Sequence, residues 1–409
     1  MEDGQMKKQK AILMGVGFLT IWLALSLSTP AAGSASAAPN VFDCSIVTDV
    51  PLTECQALVD LYDTAGGSTW TAKTGWRNAS TVCSWFGVTC TGGHVSGLDL
   101  NNNGLAGPLP AGLGNLTSLV DLNLSGNALS GPLPAGLGSL TALKNLDLSQ
   151  NGYLTGSLPA LNTLTQLESL SLYNNQLSGS IPAWVGSLSR LTVLDLAGNE
   201  FSGVLPAELG NLASLTVLRL DTNRLEGHIP ASLGSLSALA ELSLSYNGFY
   251  GDFPAAVASL PVLTQVFVSY NCLTANPSVG AWLSGLDPAW ANTQTVPPSG
   301  LQVQETRTPA LVYNLSWTPI AYQADGGYYE ISSATQPGGP WFVHGQTASK
   351  AVSTYTVTGL TDGVPYYIRV RSYTPAHDNQ MNNLTSQPGL VLAGFKVLLP
   401  AVLASFSQP

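Results

Sequence analysis

The chain has 409 residues, enough for two or three domains each with its own core. Only 9% of the residues are charged, while Gly numbers 42 and Pro 26, which excludes a helical bundle and a charged disordered tail. The net charge of −10 argues against nucleic-acid binding, which needs a basic surface to displace phosphate counterions, and leaves room for a basic partner or a neutral glycan.

Residues 1–37 read as an export signal. Lys7, Lys8 and Lys10 precede the apolar run from Ala11 to Leu27, and Ala35-Ser36-Ala37 fits an A-x-A cleavage site. The alternative is a retained anchor, since the run approaches the length that spans a bilayer. Either outcome places the rest of the chain outside the cytoplasm, where disulfides persist. In the 38–94 segment, Cys44, Cys55, Cys83 and Cys90 fall as two close pairs. Four cysteines allow three pairings; short loops close readily, which favours Cys44 with Cys55 and Cys83 with Cys90, although loop-closure entropy discriminates only weakly. Ala57, Leu58, Leu61 and Tyr62 have the spacing of a short amphipathic helix.

Residues 95–273 repeat. Asparagine follows an L-x-L-x-x or V-x-V-x-x stretch at Asn103, Asn127, Asn151, Asn175, Asn199, Asn223, Asn247 and Asn271, with 24 residues between neighbours. Leu122 and Leu124 alternate with Asp121, Asn123 and Ser125, the period-two pattern of a strand with one buried face. Asn127 then turns inward, where its amide can satisfy backbone groups of neighbouring coils, and stacked asparagines form a ladder. Between Asn151 and Leu154 there is one residue more than in the preceding coil, and between Pro159 and Leu161 one fewer, so a bulge is offset by a shortened turn.

The unit L-x-x-L-x-L-x-x-N-x-L-x-G-x-[I/L]-P resembles the plant-type extracellular leucine-rich repeat. The resemblance implies a right-handed curved solenoid of eight 24-residue coils with a parallel concave sheet. It also implies protein or peptide partners, with cell-wall polysaccharide a second ligand class. The 38–94 segment resembles the N-terminal cap of the same family, with Trp70, Trp76 and Trp85 covering the first coil.

Residues 274–298 read as a C-terminal cap and linker: a helix opening near Asn276-Pro277, with Val279, Trp282, Leu283 and Leu286 on one face, then Pro297-Pro298. From 299 to 393 short alternating strands predict an antiparallel sandwich. Trp317, Leu360, Gly363, Tyr366 and Val370 resemble the fibronectin type III pattern, in which the tryptophan fills the core and the tyrosine makes a corner bond to backbone. Asp362 departs from it by standing where proline is expected. The domain is expected to be a spacer or a second binding surface. The apolar tail 394–409 is too short to span a membrane as a helix, and is read as an edge strand or a surface-attachment segment. The fold class is α+β, mostly β.

The repeat places Asp99, Asn123, Asp147, Ser171, Asp195, Arg219, Ser243 and Phe267 outward on the concave side, one per coil. Adjacent strands lie about 4.8 Å apart, so alternate aspartates are too far apart to share one calcium ion, whose ligands lie within about 2.6 Å. His94, His228, His344 and His377 lie in different parts of the architecture without metal spacing, and no catalytic or phosphate-binding motif is present. No active site, metal or cofactor is expected. The candidate ligand-binding residues are Tyr173, Arg219, Asp221, Tyr246, Phe267 and Tyr270, residue types that anchor interfaces. The alternative is that Phe267 and Tyr270 are covered by the cap or the sandwich. Cys272, the odd cysteine, is expected to be a free thiol partly covered by the cap helix, or else an intermolecular link. The expected function is extracellular or cell-surface recognition or adhesion, binding a protein or peptide on the concave face. The alternatives are a structural envelope or matrix spacer and a polysaccharide-binding protein. Ice binding is disfavoured because the concave row mixes residue types.

Overall fold

The structure, a computed structural model, describes residues 42–306, 311–323, 325–336, 338–361, 364–376, 380, 383–386 and 389–393. The export signal, the start of the cap before residue 42, Asp362, Gly363, His377 and the 394–409 tail lie outside the described residues.

The leucine spacing sets the core. Leu98, Leu122, Leu146, Leu170, Leu194, Leu218, Leu242 and Val266 are all at most 1% exposed. Each pairs in parallel register with its counterpart 24 residues away, as Leu98 does with Leu122 and Leu218 with Leu242. The result is a nine-stranded concave sheet, from Val88–Thr91 and His94–Asp99 through to Gln265–Phe267. A second parallel sheet of eight strands, Ala106–Pro108 to Cys272–Thr274, adds a flank to the expected concave sheet. Its strands are three to five residues long, too short for periodicity to reveal, and all but the last end at a glycine with positive φ or just past it.

Between the two sheets the chain turns through short 3-10 segments such as Ala183–Ser187 and Ala207–Asn211, each preceded by a proline in extended conformation. A glycine inside these turns lets the coils stack: a Cβ on Gly210 would lie 2.4 Å from the Ser232 carbonyl oxygen of the next coil. No such 3-10 segment forms between Leu158 and Leu167, where the sequence is one residue short. At the compensating insertion Gly152 has φ +70°, and its N–H, rather than that of Leu154, donates to the Asn175 side chain at 3.2 Å.

The N-terminal end is closed by the Leu52–Thr64 helix and disulfides Cys44–Cys55 and Cys83–Cys90. Trp70, Trp76 and Trp85 pack ring to ring at 4.9 Å over the first coil. Buried Glu54 on this helix accepts the Val95 N–H at 2.8 Å and contacts His94 Nδ1 at 2.7 Å, pairing the edge of the solenoid. At the other end the Pro277–Leu286 helix is capped by the Asn276 side chain and buries Val279 and Leu283.

The C-terminal domain is antiparallel. One sheet joins Ser299–Thr306, Val312–Thr318 and Thr354–Val357; the other joins Phe342–Gln346, Tyr328–Ala334, Tyr366–Thr374, Leu384–Thr385 and Gly389–Ala393. Trp317 fills the core edge-on to Tyr329 at 5.2 Å, and the Tyr366 hydroxyl accepts the Thr361 N–H at 3.2 Å. The segment ahead of Pro297-Pro298 is not a free linker. Thr295 is fully buried, and the Val296 carbonyl accepts the Ser372 hydroxyl at 2.6 Å.

Candidate binding surface

The concave face rests on a rigid hydrogen-bonded support. Asn199 is typical: its Oδ1 accepts the Leu177 N–H at 3.0 Å, and its Nδ2 donates to Leu172 O at 2.9 Å and to Leu196 O at 3.1 Å. Asn223, Asn247 and Asn271 repeat this pattern one coil at a time. Asn103 turns its amide onto both backbone groups of Ala72 in the cap. The residue before each of these asparagines has positive φ, including the non-glycines Asn102, Gln150, Asn174, Thr222, Tyr246 and Tyr270. That left-handed step turns the chain inward, and the sequence pattern carries no signature of it because Gly occupies the position only at Gly126 and Gly198.

On this support two rows of side chains face the concave surface. Asp99, Asn123, Asp147 and Ser171 are aligned in register, as are Asp195, Arg219, Ser243 and Phe267 after them. A parallel row carries Asp121, Asn145 and Ser169. In the N-terminal half these side chains line an open concavity of about 720 Å³, with Asp99, Asp121 and Asp147 among its walls. Each of these carboxylates has one oxygen engaged within the chain: Asp121 Oδ1 accepts from Asn145 Nδ2 at 2.5 Å, Asp99 Oδ1 from Asn101 Nδ2 at 2.6 Å and Asp147 Oδ1 from the Ser149 N–H at 2.9 Å.

The six candidate residues differ in what already engages them. Arg219 is engaged: its Nε and a terminal nitrogen grip the Glu241 carboxylate at 2.6 and 2.8 Å, and its other nitrogen reaches Asp195 at 3.4 Å. The fork on Glu241 holds the Arg219 guanidinium charged well above its ordinary range. Asp195 is pushed up instead, because burial outweighs the Ala197 N–H and the longer Arg219 contact. Half-buried Asp221 adds its charge to this cluster. Tyr246 and Tyr270 stack face to face at 4.3 Å, and the ring of Tyr322 from the sandwich meets Tyr270 edge-on at 5.8 Å. These two tyrosines therefore pack at the domain junction. Of the six, Tyr173 at 39% and Phe267 at 42% exposed are the aromatics open to solvent.

Cys272 is free and only 7% exposed, and burial pushes its thiol up to about 12. The sandwich comes close to this edge: the carbonyl of the preceding residue, Asn271, accepts the Thr295 N–H at 2.7 Å, and Thr295 Oγ1 lies 2.5 Å from Thr374 Oγ1. The histidines stay apart: His94 is on Glu54, His228 lies edge-on to Tyr250 at 4.7 Å, and His344 Nε2 lies 2.8 Å from Ser333 Oγ. Ser333 is itself buried, out of reach of a substrate. Among the described residues no group of three or more His, Cys, Asp or Glu side chains could hold a metal ion, and no helix is long and apolar enough to cross a membrane.

Sequence reasoning missed the residues that end the ladder. Gln294 accepts the Leu273 N–H at 2.9 Å and donates to Val268 O at 3.0 Å. Asp287 accepts the Val268 and Ser269 N–H groups at 2.9 and 3.1 Å. The signal available was a buried-type polar residue, Gln294, standing 23 positions after Asn271, one short of the repeat.

The leucine rich repeat family model matches residues 165–225, and a second leucine rich repeat model matches 94–116 and 118–140. Among solved structures, the chain is similar to the plant peptide hormone receptor RGFR1 in complex with RGF2, at 35% identity over 46% of this chain and 30% of that one, with a TM-score of 0.43. It is similar to the LRR ectodomain of the Arabidopsis thaliana receptor kinase GASSHO1/SCHENGEN3, at 30% identity over 60% of this chain and 32% of that one, with a TM-score of 0.47. A plant ice-binding protein is 26% identical over 57% of this chain and 67% of that one, with a TM-score of 0.46. The chain thus spans less than a third of the length of the two receptors it matches. It carries a leucine-rich repeat domain followed by a distinct C-terminal β-sheet domain.

Proposed function

We propose that this is an exported, non-enzymatic recognition or adhesion protein, secreted or held at the cell surface, that binds a protein or peptide on its concave face. In this reading the solenoid has eight 24-residue coils of plant type and the sandwich is a fibronectin type III-like domain, an assignment supported by Trp317 in the core and the Tyr366 corner bond. Two disulfides support an oxidising compartment. The observation that carries the reading is the open concavity walled by Asp99, Asp121 and Asp147. A rigid, concave, acidic sheet face suits a partner segment bearing Lys or Arg. The favoured surface is then the N-terminal half of the concave face rather than the Tyr173, Arg219, Asp221, Tyr246, Phe267 and Tyr270 set.

The test is a pull-down with the mature chain, followed by titration of the captured partner against an Asp99→Asn/Asp121→Asn/Asp147→Asn variant. Affinity should fall at least tenfold in the variant and weaken with salt in the wild type. A second reading, a rigid envelope or matrix spacer, is favoured by the internal pairing of Arg219 and the packing of Tyr246 and Tyr270. Absence of any captured protein or glycan would support the spacer.

A further inference from the structure

The hydrogen-bonded ladder does not end where the leucine repeat ends. The Asn271 carbonyl accepts the Thr295 N–H at 2.7 Å. Thr295 Oγ1 lies 2.5 Å from Thr374 Oγ1, which belongs to the Tyr366–Thr374 strand of the sandwich. Thr374 Oγ1 accepts in turn from Lys350 Nζ at 2.8 Å, and Lys350 Nζ reaches Asp325 Oδ2 at 2.7 Å. Asn271, Thr295, Thr374 and Lys350 are all fully buried. Other contacts run beside this path. Gln380 Nε2 donates to the carbonyl of Asn247, a ladder residue, at 3.3 Å. The Lys350 ammonium sits 4.5 Å over the ring of Tyr322, whose edge meets Tyr270.

An ammonium with no exposure is costly unless its partners are fixed around it, and removing one partner leaves an uncompensated charge. Lys350 meets that condition only with Asp325, Thr374 and Tyr322 in place, and Thr374 is shared with the solenoid through Thr295. A solenoid, for its part, cannot bury the open side of its last coil alone. Here the Pro277–Leu286 helix, Asp287 and Gln294 cover part of it, while the sandwich brings Tyr322 against Tyr270 and Thr374 against Thr295, which is hydrogen-bonded to Asn271 beside Cys272.

The geometry points to the sandwich acting as the outer half of the solenoid's C-terminal cap, with Thr295, Thr374 and Lys350 as the latch that makes the two domains unfold as one unit. The sandwich is then neither a freely swinging spacer nor an independent module. Docking keeps Cys272 out of reach of thiol reagents and fixes the wall at the C-terminal end of the concave face. Undocking is the event that would expose the thiol.

The experiment uses the full chain and two variants. Thr295→Val removes one hydroxyl from the path and leaves the Lys350–Asp325 pair intact; Lys350→Met removes the cation. The wild type should unfold in a single calorimetric transition, and a maleimide should label Cys272 at least a hundredfold more slowly in native buffer than in urea. In Thr295→Val, with native circular dichroism retained, labelling should accelerate tenfold or more. In Lys350→Met the endotherm should also split in two. Two separated transitions in the wild type, or labelling of Thr295→Val at the wild-type rate, would overturn the proposal, and the second outcome does so even if Lys350→Met fails to fold.

Discussion

Gln294 meets Leu273 as Asn271 meets Phe249. In both pairs a side-chain amide oxygen accepts a buried backbone N–H, at 2.9 Å for Gln294 and 3.0 Å for Asn271. In both, the amide nitrogen donates to buried carbonyls, Val268 O and Trp290 O for Gln294, Leu244 O and Val268 O for Asn271. The cap reproduces the ladder's chemistry without its spacing, and the longer glutamine side chain supplies the reach that the missing residue removes.

Gln294→Ala should therefore behave as a ladder mutation. It strands the Leu273 N–H, and each buried group left unpaired costs about 1–3 kcal/mol. Urea denaturation should show a loss of roughly 2–4 kcal/mol on that basis. Gln302→Ala, at an exposed strand position, should stay within about 0.5 kcal/mol of wild type.

Thr222 holds φ +56°, a left-handed conformation that is poor for a β-branched residue and that glycine fills at Gly126 and Gly198. Thr222→Gly should relieve strain of about 1–2 kcal/mol, partly offset by glycine's extra unfolded-state entropy of about 0.5–1 kcal/mol. The net expectation is a modest stabilisation, read as a higher urea midpoint with an unchanged slope. A lower midpoint would show that the threonine side chain contributes packing that outweighs the strain.

Cys272 sets a pH dependence. Its folded pKa is raised from 9.0 to about 12, so the thiol stays protonated in the fold while the unfolded chain ionises. The associated stability is fully present below pH 9 and is lost as pH rises towards 12, at up to about 1.4 kcal/mol per pH unit. Subtracting the profile of Cys272→Ala from that of the wild type isolates this slope from other groups that titrate there. Equal slopes above pH 9 would mean that the thiol is solvated in the native state.

Arg219 is the counter-charge for two acids on the strands either side of it, so Arg219→Met should leave Asp195 and Glu241 both without their cation. The Arg219 side chain is 42% exposed, and solvent screening holds the stability loss to about 1 kcal/mol or less. Asp195 already has a raised pKa, so its contribution is favourable below 3.8 and is lost as pH rises through the folded value. The variant should consequently lose more stability at pH 7 than at pH 4. A basic partner should bind it more tightly than wild type, whereas a loss of affinity would make Arg219 a ligand contact.

The sequence alone determined the concave sheet and the asparagine ladder, because a 24-residue period forces every Leu98-like position into one column and every Asn103-like position into another. It also determined the outward row from Asp99 to Phe267, since strand alternation leaves those side chains no other face. What the tertiary structure decided is which of these residues remain available. Arg219 and Tyr246 have the composition of binding residues, but Glu241 lies 22 positions from Arg219 and Tyr322 lies 52 from Tyr270, and no local pattern announces contacts of that separation. The same holds for Cys272, whose position in the repeat is one that tolerates water in earlier coils. It is buried here because it stands at the end of the repeat, where the cap helix and the sandwich close on the last coil.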